Sequence, residues 1–209
     1  MEHLPLNGKV AIVTGAGSPI GLGRAMTTAL VEAGARVSML DVNPNWLEET
    51  ANEVREIGGE GCVFTELCDI SDPASAEVAV RKTIASLGGL HILINNAGIM
   101  RTPETTEYNR TNFWEITPKT WADTMTVNAN GPFFMANASA PHMIQQQWGR
   151  IIGVTTSIDS MYRQGLCPYG PSKASHEALI ALMSRELEGT GVTANVLIPG
   201  GTTDTNLIP

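Results

Sequence analysis

The sequence predicts an α/β fold, built on one mostly parallel sheet with helices on both faces. Three observations carry this. Short apolar runs recur along the chain with helical stretches between them. Each run delivers glycine or polar residues at its carboxyl end, and the first passes through a glycine-rich turn straight into a helix. Strands joined through helices are parallel, with right-handed crossovers.

The first run, Val10-Ala-Ile-Val13, breaks into Thr14-Gly15-Ala-Gly17-Ser-Pro-Ile-Gly21-Leu22-Gly23, and an Ala/Leu-rich helix follows until Gly34. Such a loop is either a tight turn into a packed helix or a cradle in which bare backbone and a helix N-terminus receive a pyrophosphate, and the cradle is favoured. A second strand, Arg36 to Leu40, ends at Asp41, about 20 residues beyond the glycines. A carboxylate there accepts hydrogen bonds from two ribose hydroxyls and repels a 2′-phosphate, which favours NAD over NADP; the plainer role is a turn residue before the helix opened by Asn43-Pro44.

The third strand lies near Gly61 to Leu67 and runs to Asp69-Ile70, with Ser71-Asp72-Pro73 opening a helix. Asp69 is a cofactor contact or a turn residue. The fourth, His91 to Ile94, meets Asn95-Asn96-Ala97-Gly98, small and amide residues at a strand end, where open α/β sheets bind ligands. A long polar connection, residues 99 to 117, holds Tyr108, Phe113 and Trp114 and should reach the same rim. Thr117-Pro118 opens a helix whose Trp121, Met125, Phe133, Phe134 and Met135 suit a core or interface, while Asn128 among them requires a hydrogen-bond partner. The fifth strand, Arg150 to Val154, leads to Thr155-Thr156-Ser157; the sixth, Val192 to Ile198, leads to Pro199-Gly200-Gly201-Thr202.

Between the last two strands, Tyr169-Gly-Pro-Ser-Lys173 starts an apolar helical run. Residues four apart share a helix face, so a phenol and an ammonium stand side by side. A phenol ordinarily titrates near pH ~10, and a neighbouring cation favours the phenolate, which suits acid/base work near neutrality. Chance can supply such a pair, so its meaning rests on its surroundings.

Composition narrows the function. The 209 residues, 43% of them hydrophobic, suit one domain spanning 1–209 with a substantial core. A net charge of −8 without clustered Lys and Arg disfavours nucleic acid and anionic membrane surfaces as partners and points to a small molecule. Cys62, Cys68 and Cys167 have no zinc-like spacing and read as thiols of a reducing compartment. The N-terminus has no signal-like segment and the chain has no long apolar run, so a cytoplasmic location is expected.

Together these residues resemble the short-chain dehydrogenase/reductase family, across essentially the whole chain. The resemblance implies a Rossmann-type doubly wound sheet. It implies that Tyr169 is the acid/base, that Lys173 assists it and binds the nicotinamide ribose, that Ser157 bonds the substrate oxygen, and that Asn128 orders a water chain to Lys173. The cofactor, NAD, would lie against Gly15, Gly21, Leu22, Asp41, Asp69, Ile70, Asn96, Ala97, Gly98, Tyr169, Lys173, Pro199, Gly200 and Thr202. The implied reaction interconverts a secondary alcohol and a ketone, in a homodimer or homotetramer. The outer face of the Tyr169 helix, with Ala174, Ala178, Leu179, Ala181, Leu182, Met183 and Leu187, is the expected contact. The alternatives are a non-catalytic NAD(P)-binding protein and a sugar-nucleotide epimerase, the latter disfavoured by length.

The pattern departs from the family in four places. The glycine loop is about two residues longer than usual, which leaves Gly15 or Gly17 as its anchor. The usual Ser-to-Tyr interval lands on Thr156, which therefore competes with Ser157. The 99 to 117 connection is longer than usual. Finally, the sequence stops at Pro209, where family members continue into a substrate-covering segment and a further strand, so that segment and strand are expected to be missing.

Overall fold

The computed structural model describes residues 4–100 and 111–200. Six strands form one sheet: β1 Val10–Thr14, β2 Arg36–Asp41, β3 Val63–Leu67, β4 Ile92–Asn95, β5 Gly149–Val154 and β6 Val192–Leu197. The spatial order is β3-β2-β1-β4-β5-β6, and every neighbouring pair is parallel. The sheet is Rossmann-like. The order reverses between β1 and β4, so the connections leaving those strands diverge and open a crevice at their carboxyl ends.

Side-chain alternation along β1 builds two cores. Ile12 faces one side with Leu93, Ile151 and residues of α3 (Pro73–Leu87), α5 (Gly131–Gln145) and α7 (Tyr169–Glu186). Ala11 and Val13 face the other, with residues of α1 (Leu22–Glu32) and α2 (Pro44–Gly58). Because both faces are covered, the central strands read as continuous apolar runs rather than alternating ones.

Capping sets the helix starts. Asn43, Asp72 and Thr117 each accept backbone N–H groups of the first turn, and a proline follows each of them. The helix expected after Thr117 is not uniform: α4 (Pro118–Met125) widens into a π-turn over Thr126–Asn130 before α5 continues. A further short helix, α6 (Ile158–Met161), lies between β5 and α7.

Candidate active site

The crevice forms where β1 and β4 end. Thr14 Oγ1 accepts the Asn96 and Ala97 N–H groups, each at 3.0 Å, and donates to the Ile94 carbonyl. Asn96 Nδ2 donates to the Thr14 and Gly15 carbonyls. The glycine turn and the end of β4 are thus one hydrogen-bonded unit. Gly15 has φ +65, and a Cβ there would stand 2.9 Å from Ala97 Cα, so the close approach requires glycine.

The loop delivers α1 with a bare N-terminus. Its N-cap, Gly21, supplies no side-chain bond, and the first turn, which includes Leu22, holds no acidic residue. A Cβ on Gly23 would collide with the Gly15 carbonyl oxygen. First-turn N–H groups that have no intrahelical acceptor and a positive helix end reached by side-chain-free backbone fit a phosphate-bearing cofactor. Asn95 and Thr155, at the carboxyl ends of β4 and β5, each keep a buried side-chain oxygen with no partner among the described residues.

Asp41 ends β2, half-buried, with Oδ2 accepting the Gly17 N–H at 2.9 Å and Oδ1 accepting the Asn43 N–H at 3.0 Å. Asp69 is exposed and holds its own turn: Oδ1 accepts the Ser71 N–H and hydroxyl. Ile70 places its side chain in the core against Gly131. Pro199 and Gly200 lie just past β6, whereas Thr202 and Tyr108 fall outside the described residues.

At the other wall, α7 opens at Tyr169, as its motif predicts, and Lys173 follows one turn later. Both are buried, Tyr169 8% and Lys173 4% exposed. Lys173 Nζ donates to the Val154 carbonyl at 2.9 Å and lies 5.7 Å from the centre of the Tyr169 ring. Burial lowers the Lys173 pKa to about 8, so the ammonium still predominates at neutral pH.

The π-turn falls on Asn128, which is fully buried. Its amide clamps the chain leaving β4: Oδ1 accepts the Ile99 N–H and Nδ2 donates to the Ile99 carbonyl, both at 2.8 Å. The same Nδ2 donates to Ser172 Oγ, which donates to the Tyr169 carbonyl. Asn128 Oδ1 and Lys173 Nζ stand 3.3 and 3.4 Å from where a Gly98 Cβ would be, so the two side chains converge over Gly98. Ser157 caps α6, accepting the Ser160 N–H and donating to Ser160 Oγ; Thr156 beside it is half-buried.

A family model described as short chain dehydrogenase matches residues 9–208. The chain belongs to the short-chain dehydrogenase family. This short-chain dehydrogenase is 30% identical over 195 residues to the D-threitol dehydrogenase of Mycolicibacterium smegmatis, covering 93% of this chain and 70% of that one. Its fold is similar to an NAD+-bound xylitol dehydrogenase structure, with TM-score 0.84 and 28% identity over 93% of this chain and 71% of the other. It is also similar to a metagenomic short-chain oxidoreductase in complex with NADP, with TM-score 0.82 and 26% identity over 94% and 84% of the two chains. The dehydrogenase fold therefore carries nicotinamide cofactors of both kinds, and the protein is an oxidoreductase.

Several residues that build this dehydrogenase's site carry no local sequence signal. Ser172 links Asn128 to the backbone of Tyr169, and Thr50 of α2 reaches the glycine loop, its hydroxyl donating to the Gly17 carbonyl at 2.6 Å. His176, one turn beyond Lys173, is 1% exposed, and neither ring nitrogen has a hydrogen-bond partner among the described residues. It occupies space left by Gly153, with Nε2 2.6 Å from where that residue's Cβ would be. Burial and the Lys173 charge push its pKa down to about 3.

Proposed function

We propose that the protein is an NAD(H)-dependent oxidoreductase that interconverts a secondary alcohol and a ketone, with Tyr169 as its acid/base. The observation that carries this reading is the buried pair at the start of α7: Lys173 beside the Tyr169 ring and anchored to Val154. A cation held there favours the phenolate, so Tyr169 takes the hydroxyl proton during oxidation and returns it during reduction. Lys173 also reaches toward the nicotinamide ribose. Ser157 donates to the substrate oxygen after leaving Ser160 Oγ, with Thr156 as the competing donor. Asn128 fixes the Ile99 backbone and the neighbourhood of Lys173, and a water chain toward Lys173 passes beside it. Gly21 and Leu22 hold the pyrophosphate at the start of α1, Asp41 holds the adenosine ribose, and Ala97 and Gly98 border the nicotinamide half. Gly15, Asn96, Asp69 and Ile70 shape the floor, and Pro199, Gly200 and Thr202 close the far side. When bound, the nicotinamide supplies or accepts the hydride.

NAD is chosen over NADP because Asp41 stands at the ribose position. We also propose a homodimer or homotetramer formed through the outward face of α7. Its Ala178, Ala181 and Leu182 are exposed, Leu182 by 53%, whereas Met183 is half-buried and Leu187 buried, so the face is narrower than the sequence suggested. Cytoplasmic action fits the three free thiols, Cys62, Cys68 and Cys167.

The test is NADH oxidation against a panel of ketones and sugars, repeated with NADPH. Turnover with NADH well above NADPH is expected. Cofactor binding without turnover across the whole panel selects the non-catalytic alternative, and preference for NADPH removes the role given to Asp41.

A further inference from the structure

The lengthened glycine loop is pinned at a single residue, from both sides. Gly17 donates its N–H to Asp41 Oδ2 at 2.9 Å and receives on its carbonyl the hydroxyl of Thr50, a fully buried residue of α2, at 2.6 Å. A side chain at Gly17 would stand 2.9 Å from Asp41 Cγ and 3.0 Å from Oδ2, so the contact is between bare backbone and carboxylate. Asn43 N–H holds the other oxygen at 3.0 Å. The carboxylate therefore cannot turn about its last bond without breaking one of two charge-assisted hydrogen bonds.

We propose that Gly17 and Thr50 are specificity-determining positioning residues that set Asp41 for an unphosphorylated ribose. The inference deepens the NAD reading above and rests on it. An ionised carboxylate has about four acceptor positions. Gly17 and Asn43 take one on each oxygen and leave one on each, the pattern that accepts two vicinal hydroxyls. A 2′-phosphate meets the opposite condition. It carries only acceptors and negative charge, it would face a carboxylate that is locked in place, and residues 14 to 23 and 41 to 46 contain no Lys or Arg to neutralise it. Arg24, in the first turn of α1, is engaged by Glu53 of α2, Nη2 to Oε2 at 2.6 Å. The discrimination lies in the geometry of the clamp as well as in the charge of Asp41.

The experiment measures calorimetric binding of AMP and of adenosine 2′,5′-bisphosphate to the full chain, as wild type and as Gly17→Ala, Thr50→Val and Thr50→Ser. Thr50→Val provides a second route should Gly17→Ala fold poorly. The wild type should prefer AMP. Gly17→Ala and Thr50→Val should weaken AMP about tenfold, the scale of one hydrogen bond to a charged group, while the bisphosphate changes less, so that the preference collapses; Thr50→Ser, which keeps the hydroxyl, should restore it. Equal weakening of both nucleotides, or no change in either, overturns the clamp and leaves the NAD reading standing. A wild type that prefers the bisphosphate, or binds neither nucleotide, overturns both.

Discussion

His176 places an acid-sensitive element one turn beyond the buried Lys173. Its ring is buried, without a hydrogen-bond partner among the described residues and close to the Lys173 charge, and its pKa falls from 6.5 to about 3. In the unfolded chain the imidazole takes up a proton below pH 6.5, while in the folded protein it stays neutral down to about 3. The unfolded state thus binds the extra proton throughout that interval, and folding stability must fall as the pH drops through it. Each pH unit below 6.5 removes about 1.4 kcal/mol, so the full interval is worth about 5 kcal/mol. Between pH 7 and pH 5 the loss from this residue alone is about 2 kcal/mol. His176→Leu removes the effect with a side chain of similar bulk, and it also removes two orphaned polar atoms, so the variant should be about 1–2 kcal/mol more stable than wild type at pH 8. Urea unfolding of both proteins at pH 5, 6, 7 and 8 is the assay, and the stability gap should widen by about 2 kcal/mol toward pH 5. A gap constant to within about 0.5 kcal/mol would show that the ring protonates freely in the folded state, and the argument from burial would fail.

Gly23→Ala drives a methyl group into the Gly15 carbonyl oxygen and should abolish the thermal shift produced by NAD+; a shift equal to wild type would mean that the turn does not receive the cofactor. Asn128→Ala strands the Ile99 N–H and carbonyl in a part-buried setting and should lower stability by about 1–3 kcal/mol in urea unfolding, with Asn128→Asp failing to restore it because a carboxylate cannot donate to the Ile99 carbonyl.

The architecture was legible because a sheet covered on both faces writes each strand as an apolar run and each crossover as a helix with its own punctuation. All six strands fall where those runs lie, within a residue or two at their ends. The caps Asn43, Asp72 and Thr117 could be read from their local chemistry. Tyr169 could also be placed, because the helix it opens begins at its own residue. What could not be read depends on contacts between distant segments. The π-turn at Asn128 runs into Asn130-Gly131-Pro132, which punctuates the helix in the sequence but does not say that the chain widens there rather than stops. The hold of Thr50 on Gly17 joins residues 33 apart. The orphaned ring of His176 follows from the position of Gly153 on another element. Asp41 was singled out for its place after the glycines, yet its engagement by Gly17 and Asn43 appears only in the folded chain. Asp69, open between two roles in the sequence, holds its own turn through Oδ1, a contact that appears only in the folded chain.

The proton transfer proposed for Tyr169 is measured by the turnover of Tyr169→Phe on a substrate that the wild type reduces with NADH, with NADH binding followed by fluorescence in the same samples. Removing the acid/base should lower kcat by about 10²–10⁴-fold while NADH still binds. Turnover near the wild-type rate with NADH bound would contradict the account.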